Sequence, residues 1–168
     1  MRPVHIRPAE LADAEALTDL HLDVWEEAYG DLVDPGVLRE RRRTRRERAV
    51  RWAEILERSR ADTLLACSDE GRLLGFTSAG PGRDDPSEGL PALEVWALYV
   101  RAEVYGTGVG FALLQAAAGS GEAYLYVLDG NRRAIAFYER QGFGFDGHAK
   151  REPVGVERRM VRRTTRER

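Results

Sequence analysis

Cysteine is almost missing from the chain: Cys67 stands alone among 168 residues, which excludes an internal disulfide and any thiolate metal cluster. Histidine is nearly as scarce, and His5, His21 and His148 lack the spacing of metal ligands, so no metal site is expected. No apolar run approaches the roughly 18 residues of a membrane span, and the first residues lack the charged-then-apolar pattern of a secretion signal. A cytoplasmic protein with no membrane partner is the expectation. Lys150 is the only lysine beside 25 arginines, so arginine abundance says little about guanidinium chemistry. Repeats, low-complexity linkers and internal boundaries are also absent, and 168 residues suit one cored domain, with its core at about 4–162.

What is present is strongly segregated charge. Ala9 to Leu38 contains no lysine or arginine and nine acids, whereas Arg39 to Arg51 carries eight arginines. The C-terminal tail is basic as well, with Arg158, Arg159, Arg162, Arg163, Arg166 and Arg168. The acidic run could draw in a cationic amine, as could Asp84, Asp85 and Glu88, or it could pair with the neighbouring arginines. The arginine run could hold nucleic-acid phosphates, but the net charge is −2, no aromatic interleaves it before Trp52, and no nucleic-acid module is recognisable. No nucleic-acid partner is expected.

The apolar periodicity alternates between the two regular structures. Leu17, Leu20, Val24 and Ala28 form a helical stripe. Asp34-Pro35-Gly36 breaks the chain, and one arginine-rich helix is expected from Val37 to Arg58, with Val50, Trp52, Ala53 and Leu56 near its buried side. Strands are expected at Val4–Arg7, 63–68, 73–79, 93–101, 124–128, 143–146 and 154–161, with helices at 111–118 and 131–141. The fold class is therefore α/β: a single domain with a mixed, mostly antiparallel sheet of six or seven strands and about four flanking helices.

The most informative stretch is Val100 to Leu114, VRAEVYGTGVGFALL, where a strand passes through Tyr105, Gly106, Thr107, Gly108, Val109 and Gly110 into an apolar helix. Alternate glycines permit tight backbone bends, and the helix N-terminus that follows offers free N–H groups and a positive dipole. Such a turn suits a pyrophosphate. A dinucleotide fingerprint would need glycine at Phe111, and a Walker loop would need Gly-Lys-Ser/Thr, so neither applies.

Leu98-Tyr99-Val100 followed by Gly108-Val109-Gly110 resembles motif A of the GNAT superfamily of acyl-CoA-dependent N-acyltransferases, Gln/Arg-x-x-Gly-x-Gly/Ala after a strand. Tyr105 stands where that motif has Gln or Arg. A second stretch, Asn131 to Phe143, is similar to motif B, Asn-x-x-Ala-x-x-x-Tyr-x-x-x-Gly-Phe. The resemblance implies a GNAT-like fold, acetyl-CoA as cosubstrate, and direct transfer of its acetyl group to a primary amine. It implies that pantetheine binds along Leu98, Tyr99 and Val100 in a gap between splayed strands, and that the turn from Tyr105 to Gly110 holds the pyrophosphate.

The resemblance also assigns roles downstream. Tyr138 would protonate the departing thiolate, or be a core tyrosine with its hydroxyl at the rim. Asn131 would bond the pantetheine amide, or merely cap its helix. Glu94 is the candidate base, against the plainer possibility of a solvent-exposed strand-edge glutamate. His21, Trp25 and Tyr29 recur every four residues on the first helix and are substrate-wall candidates, with packing as the commoner explanation. The expected acceptor is a small cationic amine, with a protein N-terminus or lysine as the rival. A non-catalytic acyl-CoA sensor is a third reading, and the resemblance leaves room for a homodimer.

Overall fold

The alternating segments form seven strands and the helical stripes five helices in the computed structural model, which describes residues 3–164; Arg166 and Arg168 of the basic tail lie outside the described residues. The strands are β1 (Val4–Pro8), β2 (Asp62–Ser68), β3 (Leu73–Pro81), β4 (Leu93–Val100), β5 (Ala123–Leu128), β6 (Gly144–Glu152) and β7 (Gly155–Arg162). They join in one sheet in the order β1-β2-β3-β4-β5-β7-β6. Only β4 and β5 run parallel, and that pair needs the crossover that helix α4 (Val109–Ala118) provides. The mixed, mostly antiparallel sheet expected from the sequence is present.

Helices cover both faces. On one, α1 (Ala14–Tyr29) sends Leu17, Leu20 and Val24 into a core shared with Leu65 and Phe76. Each of those side chains is fully buried, worth about 1.5–3 kcal/mol apiece. On the other, α4 and α5 (Arg132–Arg140) supply Leu114 and Tyr138, packed with Leu125 and Met160.

The arginine-rich segment departs from expectation. It is two helices, α2 (Pro35–Arg43) and α3 (Arg45–Arg58), rather than one. Thr44 interrupts them: its hydroxyl donates to the carbonyls of Glu40 at 2.9 Å and Arg41 at 3.3 Å, competing with the helical ladder, and its ψ of 24° leaves the helical region. Of the residues expected near the buried side, Trp52, Ala53 and Leu56 pack into the core, whereas Val50 is 57% exposed.

The two charge runs face one another. Arg42 donates to Asp23 at 2.6 Å and to Glu26 at 2.7 Å, while Arg45 reaches Asp19 at 2.6 Å and Glu15 at 2.9 Å. Arg45 holds the Asp19 carboxyl below its usual range. These pairs are partly exposed, so the Arg42 pairs contribute about 0.2–1 kcal/mol each. Their larger consequence is that Glu15, Asp19, Asp23 and Glu26 are engaged along the seam between α1 and the arginine helices. No helix among the described residues is long and apolar enough to cross a membrane.

The sheet opens at its centre. β4 and β5 are in register only at Glu94–Tyr124 and Val95–Leu125. On the opposite edge, Ala97 pairs with Ser78 and Val95 with Ala79, which leaves Trp96 as an extra residue in β4. A bulge bends its strand and adds twist, and here it accompanies the parting of β4 from β5 beyond Val95.

Candidate active site

The glycine turn lies just past the end of that gap. Gly106 has φ 73° and Gly108 φ 94°, both in the left-handed region that favours glycine. Gly108 caps α4, so the N–H groups of Val109, Gly110 and Phe111 have no carbonyl within the helix, and the first helical bond comes from Ala112 to Gly108 at 2.9 Å. Two members of the expected cradle serve the turn itself. The Tyr105 N–H donates to Ala102, and both the N–H and hydroxyl of Thr107 donate to the Val104 carbonyl. Free donors therefore come from the glycines and the helix start.

Tyr105 is the departure from motif A, and the fold compensates for it. The Arg133 guanidinium stacks 3.6 Å above the Tyr105 ring, returning a cation to the place where the motif has Gln or Arg. The buried Tyr105 hydroxyl has no hydrogen-bond partner among the described residues. An alanine at Gly108 would impose about 1–2 kcal/mol of left-handed strain, although its Cβ would clash with nothing. The expected result for Gly108→Ala in calorimetry is a roughly tenfold weaker CoA Kd. Unchanged affinity would show that the turn does not hold the pyrophosphate.

Where β4 and β5 part, a cavity of about 590 Å³ opens. Its wall brings together Leu98, Tyr99 and Val100 of β4, Tyr105, Asn131 and Tyr138, and, across from them, His21, Trp25 and Tyr29 of α1. Gly106 to Gly110 are not part of this wall. Asn131 caps α5 by accepting from the Ala134 N–H at 3.3 Å, and its amide nitrogen donates to nothing among the described residues. Both sequence roles are thus compatible in one side chain. Tyr138 packs its ring against Phe143, centroids 5.8 Å apart. Burial pushes its hydroxyl pKa up, so it stays protonated.

The α1 residues both pack and line the cavity. His21 sits edge-on to Phe76 at 5.2 Å and Trp52 at 5.6 Å, and the Tyr29 and Tyr99 hydroxyls are bonded at 3.0 Å. Burial, then Arg41 and Arg48, lower the His21 pKa to about 3, which makes it too weak a base for neutral pH.

Glu94 is not the solvent-exposed edge residue that the plainer reading held: it is 1% exposed, on the cavity wall. Its carboxylate accepts from the Arg83 backbone N–H at 2.9 Å, from the Arg83 guanidinium at 2.7 Å and from the Tyr124 hydroxyl at 3.1 Å. The same loop delivers Asp84 and Glu88 to Arg159, which also holds Asp146, at 2.7–2.8 Å. These loop acids, too, are spent on structure. Burial of Asp84 opposes ionisation, but Tyr126 and Arg159 outweigh it and hold the carboxyl low.

A low folded pKa contributes stability above the unfolded value of about 3.9 and loses it as pH falls below that. Arg159→Met should therefore destabilise by about 3 kcal/mol at neutral pH, the low end for a broken buried network because the acids keep partial solvent access. Chemical denaturation at pH 7 and pH 3 checks this, with the deficit shrinking at pH 3.

Sequence reasoning did not single out Arg41, Arg83, Arg133 or Glu157, all on the cavity wall. Burial pushes the Glu157 carboxyl above its usual range, against the pull of Lys150. Motif B contained Arg133 and could have flagged it; the other three depend on tertiary contacts.

Comparison with known proteins agrees with this geometry. The model of the acetyltransferase (GNAT) family matches residues 16–143. An N-acetyltransferase of Bacillus subtilis, YuaI, itself uncharacterised, is 28% identical over 142 residues, covering 81% of this chain and 78% of that one. An L-methionine sulfoximine/L-methionine sulfone acetyltransferase of Pseudomonas aeruginosa is 28% identical over 155 residues, covering 84% and 81%. In fold, the PaiA N-acetyltransferase of Thermoplasma acidophilum, solved with coenzyme A, superposes with a TM-score of 0.72 at 18% identity, over 96% of this chain and 99% of that one. With the glycine turn, the parted strands and the α5 tyrosine in place, the chain belongs to the GNAT family and is an acetyl-CoA-dependent N-acetyltransferase.

Proposed function

We propose that this enzyme acetylates the primary amine of a small molecule held in the cavity between α1, α2 and β7, with Glu94 as base and Tyr138 as acid. The observation that carries the proposal is the cavity itself: about 590 Å³ suits a small acceptor beside a pantetheine arm, within the usual range for small-ligand sites. The methionine sulfoximine acetyltransferase relative acts on a small molecule, which supports the same class here. Glu15, Asp19, Asp23 and Glu26 of α1 and Asp84 and Glu88 of the loop are paired with arginines, so the support for a cationic acceptor comes from the cavity wall and not from these acids.

The chain supplies what thioester aminolysis needs. The free amides of Gly106 and of Gly108 to Phe111 and the dipole of α4 fix the diphosphate of acetyl-CoA. The unpaired edge of β4 beyond Val95 offers backbone groups to pantetheine and an N–H to the thioester carbonyl. Glu94 takes the amine proton, directly or through water, while Arg83 balances its charge. Tyr138 gives a proton to the departing sulfur. Glu157 is the second candidate base, favoured by its raised proton affinity and its place on the cavity wall.

Measuring free-thiol release from acetyl-CoA against polyamines, aminoglycosides, amino acids and peptides, with product mass, tests the proposal. Turnover of small amines is expected; turnover confined to peptides would overturn it, and no turnover beside tight CoA binding would favour a sensor.

A further inference from the structure

Resting on that acceptor site, we infer that Arg41 and Trp25 form an anion-reading corner of the cavity, so that the acceptor is an amine that also carries a carboxylate, an amino acid. Of the arginines next to it in sequence, Arg42, Arg43 and Arg45 each hold a carboxylate. Arg41 holds none. Its guanidinium lies 3.6 Å over the Trp25 ring, and its Nε and Nη2 are sealed from solvent with no hydrogen-bond partner. The Trp25 indole Nε1 is sealed and unpartnered too.

Buried donors are nearly always satisfied, and leaving a charged one bare costs more than leaving a neutral one. Three bare donor atoms on two side chains that line the cavity are what a site looks like when its acceptor atoms come with a ligand. Nη1 of Arg41 is neither bonded nor sealed, which leaves it open to an incoming carboxylate oxygen.

The rest of the cavity wall carries both signs. Arg48, also without an acid partner, lines it from α3, whereas Glu94, paired with Arg83, and Glu152 and Glu157, both 3.6 Å from Lys150, line it from β4, β6 and β7. A simple diamine would place a second cation against the arginines. A zwitterion satisfies both walls, its ammonium toward the acids and its carboxylate toward Arg41. Desolvation, reinforced by Arg48, pulls the Arg41 pKa down to about 10, the mark of a cation that lacks its counter-ion.

The test compares the common L-amino acids with their carboxamides as acceptors, in the parent enzyme, Arg41→Gln, Arg41→Lys and Trp25→Phe. A charge-assisted bond is worth about 10- to 100-fold, so the parent should prefer the acid over its carboxamide by that factor in kcat/KM. Arg41→Gln should erase the preference through KM, with kcat nearly kept; Arg41→Lys should restore part of it, and Trp25→Phe should lose about fivefold. A parent that treats acid and carboxamide alike, or an Arg41→Gln enzyme that still prefers the acid, overturns the inference while leaving small-amine acetylation standing. If no amine is acetylated, the proposed function fails first. Calorimetric titration of the CoA-loaded protein with the same amino acids then decides: binding lost in Arg41→Gln upholds the corner, and no binding in the parent overturns it.

Discussion

Replacing Tyr138 with phenylalanine is expected to lower kcat about 100-fold while CoA binds as tightly as before. Only the oxygen is removed, so the ring keeps its packing on Phe143 and Phe137. Burial and Tyr29 hold the hydroxyl proton firmly, and Arg133 opposes them only in part, so the residue enters the reaction as an acid. The effect belongs at the lower end of acid catalysis because a thiolate with a pKa near 8.5 is a tolerable leaving group without help. The parent should show no loss of rate from this group until pH exceeds the ordinary tyrosine value of about 10. Stopped assays with saturating amine, paired with calorimetry of CoA, give both numbers. Equal loss of kcat and CoA affinity would return Tyr138 to a packing role.

Removing the Glu94 carboxylate as Glu94→Gln should cost more, about 100- to 1000-fold in kcat/KM for the amine. Glu157→Gln, at the second candidate base, should stay within about threefold of the parent. The comparison is controlled by burial. Glutamine at position 94 still accepts from the Arg83 N–H, and Arg83 is half exposed, so water can compensate its lost partner. A large loss in Glu157→Gln with a mild one in Glu94→Gln would exchange the two roles.

Much of this architecture was legible in local sequence signals. The alternate glycines announced the turn, Asn131 and Tyr138 fell at the cap and within α5, and six of the seven strands emerged within two residues, whereas β6 runs on to Glu152 from the 143–146 expected. What escaped had no local signature. Nothing in the arginine run distinguishes Thr44, whose hydroxyl bonds break the helix only once the backbone is helical enough to offer the carbonyls. Glu94 alternates along β4 like a solvent-facing residue, and becomes buried because the 83–88 loop folds over it. Acidic and basic runs look like rival binding surfaces until α1 lies beside α2 and α3. Arg41 differs from Arg42 only in the face of α2 that it occupies, which decides between a surface ion pair and a bare cation in the cavity.

A crystal structure of the protein with CoA tests the central claim most directly. The diphosphate should rest on the amides of Gly106 and Gly108 to Phe111, with pantetheine against Leu98 to Val100 and sulfur within hydrogen-bonding reach of the Tyr138 hydroxyl. Density for CoA elsewhere, with that turn bare, would contradict it.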